Sequence, residues 1–340
     1  MPDICITTYM EASRSNMSLF APPATHALGM AVANGLDCGL AAVEQRAFGG
    51  GEFKIRALES VRLRRTYIVQ QLHGDAAGSA GDKLCELLFL AAALRDAGAE
   101  RVCAVIPYLA FARKDRRTKS RDPVTSRYVA QLIEAVGIDH VMVVEVHNPA
   151  AFDNAFRIRA DHLTTTRLFA EHFAARHFAG PLAVVSPDLG GAKRAQLLRE
   201  SLQKRLATSV EFGCVEKRRS GGAVSGQYLA GDVAGRTVIL LDDLISSGGT
   251  LLRAARTCRA NGAAAVHAVA THAPVDSGAA GVVADPAFDS VTLTDTVPVD
   301  PAFARALADR LTVLPIAGLL AGAIGCLEGR GSLTALLDLE

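Results

Sequence analysis

Short apolar runs alternate along this chain with stretches whose apolar residues recur three and four positions apart. Residues 66–72, 101–107 and 140–145 read as strands. Residues 82–97 and 125–136 carry helical spacing and stop at Gly98 and Gly137, glycine being the usual residue just past a helix end. The second half repeats the rhythm. Residues 182–186, 210–217, 237–243, 264–271 and 291–296 read as strands, and 191–206 and 249–260 as helices. Strands alternating with helices across short turns predict an α/β protein with mainly parallel sheets flanked by helices. A length of 340 residues suits two such domains. The reading is an N-terminal extension over 1–17, one domain over 18–165 and a second over 166–340. The two halves share a pattern without enough identity to prove a duplication.

The strongest chemical signal is 238–250, Val-Ile-Leu-Leu-Asp-Asp-Leu-Ile-Ser-Ser-Gly-Gly-Thr. A buried strand ends in two acids and turns through small residues into a helix. The helix start offers free N–H groups to a phosphate. Asp242 and Asp243 can accept hydrogen bonds from neighbouring sugar hydroxyls. An ordinary strand-to-helix turn with two solvated acids is the alternative.

Other segments sit at strand ends as well. Residues 184–194 run from a strand through Asp188 and two glycines into Lys193 and Arg194, a second anion site or a second plain turn. Asp188 could hold Mg²⁺ directly or through water. Residues 111–121 concentrate basic side chains directly after a strand, where α/β sheets place ligands, although a solvated basic loop has the same composition. Glu145 and His147 end another strand two residues apart, which places both on one side. Residues 216–228 read as a cationic strand end running into a flexible Gly/Ser loop, a lid or else an exposed hairpin.

Composition narrows the classes. The net charge of +1 gives no support to a general nucleic-acid or membrane-surface binder. Seven scattered cysteines without CxxC spacing read as small core residues in a reducing compartment. There is no signal-like N-terminus, and the apolar run 314–327 is too short to span a bilayer, so a soluble cytoplasmic protein is expected. Phosphate-loop NTPase, dinucleotide-binding, Gly-x-Ser-x-Gly and zinc spacings are absent.

Taken together, 111–121, 186–194, 217–219 and 241–250 resemble the ribose-phosphate diphosphokinase (phosphoribosyl pyrophosphate synthetase) family, in order and at its spacing from residue 18 to the C-terminus. The resemblance implies two phosphoribosyltransferase-like domains and homo-oligomeric assembly as dimers or hexamers. It implies transfer of the diphosphoryl group of ATP to ribose 5-phosphate, with Mg²⁺. Phe48, Gly50, Gly51, Glu52, Arg113, Lys114 and His147 would contact ATP. His147 and Asp188 would serve the metal. Asp242, Asp243, Ser246, Ser247, Gly248, Gly249, Thr250 and Arg219 would hold ribose 5-phosphate. Lys217, with Arg219, would supply the catalytic cations. A catalytically silent regulatory relative and a phosphoribosyltransferase are the competing readings. The chain departs from the family's common pattern at Gly50, Lys114, Glu145, Arg157 and Ser246. Arg157 stands where an acid is common, beside Asp161, which bears on an allosteric phosphate or second metal site.

Overall fold

The computed structural model describes residues 16–178, 180–220 and 223–338, of which 217–220 and 223–227 by backbone alone. Two compact units emerge, Met1–Leu163 with Ala317–Gly331, and Thr164–Ile316 with Ser332–Glu340.

The first unit contains β1 (Met17–Phe20), α1 (His26–Leu36), β2 (Leu40–Ala41), β3 (Val43–Ala47), β4 (Phe53–Ala57), β5 (Arg65–Val69), α2 (Ala80–Asp96), β6 (Arg101–Ile106), α3 (Thr125–Ala135), β7 (His140–Val144), α4 (Pro149–Ala155) and β8 (Arg159–Leu163). Its sheet is parallel throughout, in the order β2-β1-β5-β6-β7-β8. Met17 already belongs to β1, and the rest of the expected extension, 1–15, lies outside the described residues. Helix α2 starts two residues before the apolar spacing does. Ser79 accepts the Asp82 N–H at 3.2 Å while the Asp82 carboxylate accepts the Ser79 N–H at 2.8 Å, a reciprocal cap that satisfies two helix-end donors. The hairpin β3–β4 escaped the sequence reading because only β4 alternates cleanly, with Phe53, Ile55 and Ala57 toward the core between Lys54 and Arg56, while β3 mixes charged and apolar residues. Glu44 binds Lys54 at 3.2 Å and Arg56 at 2.6 Å across its strands.

The sequence reading put all of 166–340 in one domain, whereas Ala317–Gly331 groups with the first unit. Close packing explains this. In the helix Ala317–Leu327, Leu320, Ala321, Ala323 and Ile324 are buried. A Cβ on Gly35 of α1 would lie 2.8 Å from the Ala321 Cβ, so the approach needs glycine there.

The second unit contains α5 (Thr166–Ala174), β9 (Leu182–Ser186), α6 (Ala192–Leu206), β10 (Val210–Ser220), β11 (Ala223–Ala230), β12 (Thr237–Leu244), α7 (Gly249–Ala260), β13 (Ala265–His272), α8 (Ala279–Val283), β14 (Ser290–Thr294), α9 (Pro301–Leu307) and β15 (Leu311–Leu314). The sheet order is β11-β10-β9-β12-β13-β14-β15, parallel except for the β10–β11 pair. Successive side chains of a strand face opposite ways, so both faces of this sheet are apolar. Val238 and Leu240 pack with Leu251, Ala254 and Cys258 of α7. Ile239 and Leu241 pack with Phe169 and Phe173 of α5 and Leu198 and Leu202 of α6.

Of the two readings of the stretch after residue 217, a flexible Gly/Ser loop and an exposed hairpin, the hairpin is the one found. β10 runs on to Ser220, β11 pairs back against it, and the register shifts at Arg218/Arg219. Alternation in β11 accounts for the pairing, with Leu229 buried and Tyr228 exposed. Residues 221–222 lie outside the described residues. Of the described cysteines, Cys103, Cys214 and Cys258 are buried, Cys38 and Cys326 half-buried, and Cys85 is exposed. Among the described residues no helix is long and apolar enough to cross a membrane.

Candidate active site

In the second unit the strand order reverses at β9. The chain adds β10 and β11 on one side and then β12 to β15 on the other. Open α/β sheets bind ligands outside the carboxyl ends of the strands at such a switch point. The carboxyl ends of β9, β10 and β12 carry Asp188, Lys217 and Arg219, and the acid pair Asp242 and Asp243. Adjacent strand ends thus collect residues far apart in sequence. The side chains of Lys217 and Arg219 lie outside the described residues.

Asp243 is buried, and its N–H donates to the Asp242 Oδ1 at 2.9 Å. Burial, then the neighbouring Asp243 carboxylate, raises the Asp242 carboxyl well above its ordinary range, and Asp188 adds to the shift. Two acids held this closely suit a ligand bringing hydroxyl donors or a cation.

Residues 245–248 link β12 to α7. The Ile245 N–H donates to the His272 carbonyl at 2.8 Å, and the Ser246 carbonyl accepts the Asp276 N–H at 3.2 Å. Gly248 caps α7 in the left-handed region, φ +74°, with no side-chain cap and no acid in the first turn. The Ser247 hydroxyl accepts the Gly249 N–H at 3.4 Å, and Thr250 accepts from Arg253 at 3.2 Å. An uncapped helix start behind small residues leaves N–H groups for an anion. The start of α6 is built alike. The Ser186 hydroxyl donates to the Asp188 carbonyl at 2.6 Å, and the Asp188 Oδ1 accepts the Gly191 N–H at 3.1 Å. Lys193 and Arg194 occupy its first turn. Cations oppose the helix dipole there, and a bound anion would offset that cost.

In the first unit the expected residues lie on three segments. Phe48 is 46% exposed at the tip of β3–β4, with the Arg46 guanidinium 5.7 Å from its ring centre. The Phe48 N–H donates to the Glu52 carbonyl at 2.7 Å across Gly49–Gly51. Gly50 is left-handed, φ +78°, a conformation that glycine, asparagine and aspartate tolerate best. Glycine therefore suits this turn.

The basic segment after β6 is internally tied. The Lys114 Nζ donates to Asp122 at 2.6 Å and to the Thr118 hydroxyl at 3.0 Å. Asp122 also accepts the N–H groups of Thr118 and Lys119. The Lys114 bond, then those of Thr118 and Lys119, hold its carboxyl far below the ordinary range. Arg113 is exposed. The acid that disciplines this basic run was missed from sequence; an aspartate eight residues past Lys114 was its signal.

Glu145 and His147 do not share a side. β7 ends at Val144, and Glu145 is left-handed, φ +39°, which breaks the strand alternation. Glu145 is buried and His147 exposed. The Val146 N–H donates to the His162 Nε2 at 3.1 Å, so the neutral ring carries its proton on Nδ1. Arg157 donates to the carbonyls of Asn154 and Phe156, both at 2.9 Å, and Asp161 lies 2.7 Å from the His140 Nε2. Each member of that pair is thus committed elsewhere. A buried cluster, unforeseen from sequence, follows β5. Lys83 is 1% exposed, with its Nζ 2.6 Å from Asp75 and 3.4 Å from the His73 Nε2.

Largely parallel sheets, helix starts without side-chain caps and an acid pair at the switch point define an α/β protein of the open-sheet, strand-end ligand-binding class. Residues 17–137 match the N-terminal domain of ribose phosphate pyrophosphokinase, and 224–338 the phosphoribosyl synthetase-associated domain. The chain is 35% identical over 331 residues to a ribose-phosphate pyrophosphokinase of Bradyrhizobium diazoefficiens, covering 97% of this chain and 100% of the relative. It is 35% identical over 326 residues to one of Shewanella oneidensis, covering 95% and 99%. A crystal structure of phosphoribosylpyrophosphate synthetase from Mycobacterium smegmatis superposes with a TM-score of 0.82 at 31% identity, covering 93% of this chain and 100% of that one. The chain belongs to the ribose-phosphate pyrophosphokinase family, and the α/β class expected from its sequence is the one found.

Proposed function

We propose that this protein transfers the diphosphoryl group of ATP to the C1 hydroxyl of ribose 5-phosphate, giving 5-phosphoribosyl 1-diphosphate and AMP for nucleotide biosynthesis. The observation that carries this is the acid pair Asp242–Asp243 beside the uncapped start of α7, at the sheet's switch point, in a chain of this family. The start of α7, from Ser246 to Thr250, takes the 5-phosphate, and the acid pair takes the sugar hydroxyls. Phe48, Gly50, Gly51, Glu52, Arg113, Lys114 and His147 take ATP. The C1 oxygen attacks the β-phosphorus, the bond from that phosphorus to the oxygen bridging it to the α-phosphorus breaks, and AMP leaves. Lys217 and Arg219 offset the charge developing on the transferred group.

Mg²⁺ fits the residues present. No group of three or more His, Cys, Asp or Glu among the described residues could hold a metal ion alone. A magnesium ion bound mainly by substrate phosphates and water needs only one or two protein ligands. The family likeness assigns His147 and Asp188 to Mg²⁺, each in its own unit; either would supply one such ligand, and the ion would neutralise phosphate charge. Further, the protein works in the cytoplasm as a homo-oligomer, as the family likeness implies. The test is AMP release from ATP by the purified protein. Release that requires ribose 5-phosphate supports the assignment, and ATP breakdown indifferent to the sugar phosphate would refute it.

A further inference from the structure

Asn148, which directly follows His147, ties together two strand-end segments of the first unit. Its Oδ1 accepts the Ala151 N–H at 3.2 Å, and Pro149 follows at the first helical position. That is an ordinary helix cap, which Ser, Thr or Asp would also make. Its second bond is not needed by the helix. The Nδ2 donates to the Asp115 Oδ2 at 2.6 Å, in the basic segment after β6. Of the usual capping residues, only asparagine offers an acceptor for the cap together with an amide donor for a carboxylate.

The surroundings give this bond leverage. A small cleft lined by Leu109, Ala112, Val146, Asn148, Phe152 and Phe156 lies between the two segments. Its walls are mostly apolar, Ser126 and Asn148 being the polar side chains, and from that wall Asn148 reaches Asp115. On the other side of His147, the Val146 N–H is held by His162. His147 is therefore bracketed, with His162 fixing the residue before it and Asp115 the residue after it. Asp115 directly follows Arg113 and Lys114.

We propose that Asn148 is a positioning residue for the nucleotide: it latches the turn bearing His147 to the segment bearing Arg113 and Lys114, so that both meet one ATP molecule. The proposal rests on the ATP contacts assigned above. Without the latch, each segment keeps its own fold and the nucleotide must order the pair on binding, which weakens its affinity.

Two variants separate the latch from the cap. Asn148→Asp keeps a good cap and sets a carboxylate against Asp115. Asn148→Ser keeps the cap and is too short to reach. Asn148→Asp is expected to raise KM for ATP about tenfold, the scale of one hydrogen bond to a charged group. It should weaken a fluorescent ATP analogue, measured without magnesium, by a similar factor, and leave KM for ribose 5-phosphate unchanged. Asn148→Ser should do the same more weakly, about threefold, with its melting temperature near wild type. Adding Asp115→Asn to Asn148→Asp restores one amide facing one carboxylate, and should bring KM for ATP back to within about threefold of wild type. An unmoved KM for ATP in both single variants overturns the proposal, as does an equal rise for both substrates or no recovery in the double variant. Failure of the wild type to make AMP would instead defeat the parent assignment, and analogue binding by the variants would still decide the latch.

Discussion

Replacing Gly248 with alanine tests the start of α7 as a ligand cradle. Gly248 has φ +74°, and a Cβ there would lie 3.0 Å from the Val282 Cγ1 and 3.4 Å from the Val282 Cβ. Two costs follow. A left-handed conformation costs an L residue about 1 kcal/mol or slightly more. Crowding Val282 adds about 1 kcal/mol, the low end for overpacking, because only its side chain must give. The expected loss is about 2 kcal/mol, or a fall of roughly 4–8 °C in Tm for a unit of this size. Gly235 supplies the control. Its φ is +68°, with nothing within 4 Å of where a Cβ would stand, so Gly235→Ala should lose only about 1 kcal/mol and roughly 2–4 °C. Adding Val282→Ala to Gly248→Ala should recover about 1 kcal/mol beyond additivity, while the same change beside Gly235→Ala should not. Steady-state kinetics complete the assay. Gly248→Ala should raise KM for ribose 5-phosphate about tenfold, since it shifts the N–H groups proposed to meet the phosphate, and Gly235→Ala should not. If Gly248→Ala melts with Gly235→Ala and keeps its KM, both the crowding and the cradle are wrong.

Lys217→Ala should keep the fold and lower kcat at least about a hundredfold, the scale of losing one preorganised donor; turnover at the wild-type rate would remove Lys217 from the chemistry. The raised Asp242 carboxyl sets a pH dependence. The unfolded chain ionises near the ordinary 3.8 and the folded protein only at its raised value, so the unfolded state binds fewer protons in between and stability falls as pH rises through that window. Asp242→Asn should therefore gain stability over wild type with rising pH and weaken ribose 5-phosphate binding; denaturant melts at about pH 4 and about pH 8.5 that move in parallel would contradict this. Asp75→Ala leaves the Lys83 ammonium buried without its carboxylate, and should cost about 3 kcal/mol in urea melts. Restoration by Asp75→Glu would tie that loss to charge, and a cost under about 0.5 kcal/mol would show that the ammonium reaches water instead.

Much of the fold was legible because burial writes a period into the sequence. The strand 182–186 and the helices near 125–136, 191–206 and 249–260 appear within a residue or so of where apolar spacing puts them. The acid pair and the small-residue turn after β12 were equally visible, since their spacing is local. The hairpin β3–β4 was hidden because its strands are short and its apolar face, with Ile55 buried, is narrow beside the paired charges of Glu44, Lys54 and Arg56. The β10–β11 hairpin stayed one of two open readings because glycine and serine also compose loops. The Asn148–Asp115 bond spans 33 residues, and no local pattern encodes such a contact.

By itself the sequence determined which segments are strands and helices in most of the sheet-forming chain, where the acids and glycines meet a helix start, and which family the chain resembles. Periodicity and short motifs act over a few residues, so they can be read along a line. Only the tertiary structure decided that β9 and β12 lie side by side, so that Asp188 can act on the Asp242 carboxyl from more than fifty residues away. It alone turned Glu145 inward and His147 outward, committed Lys114 to Asp122, and returned Ala317–Gly331 to the first unit. These outcomes depend on which surfaces meet once the chain is packed, and burial and charge take their energies from that meeting.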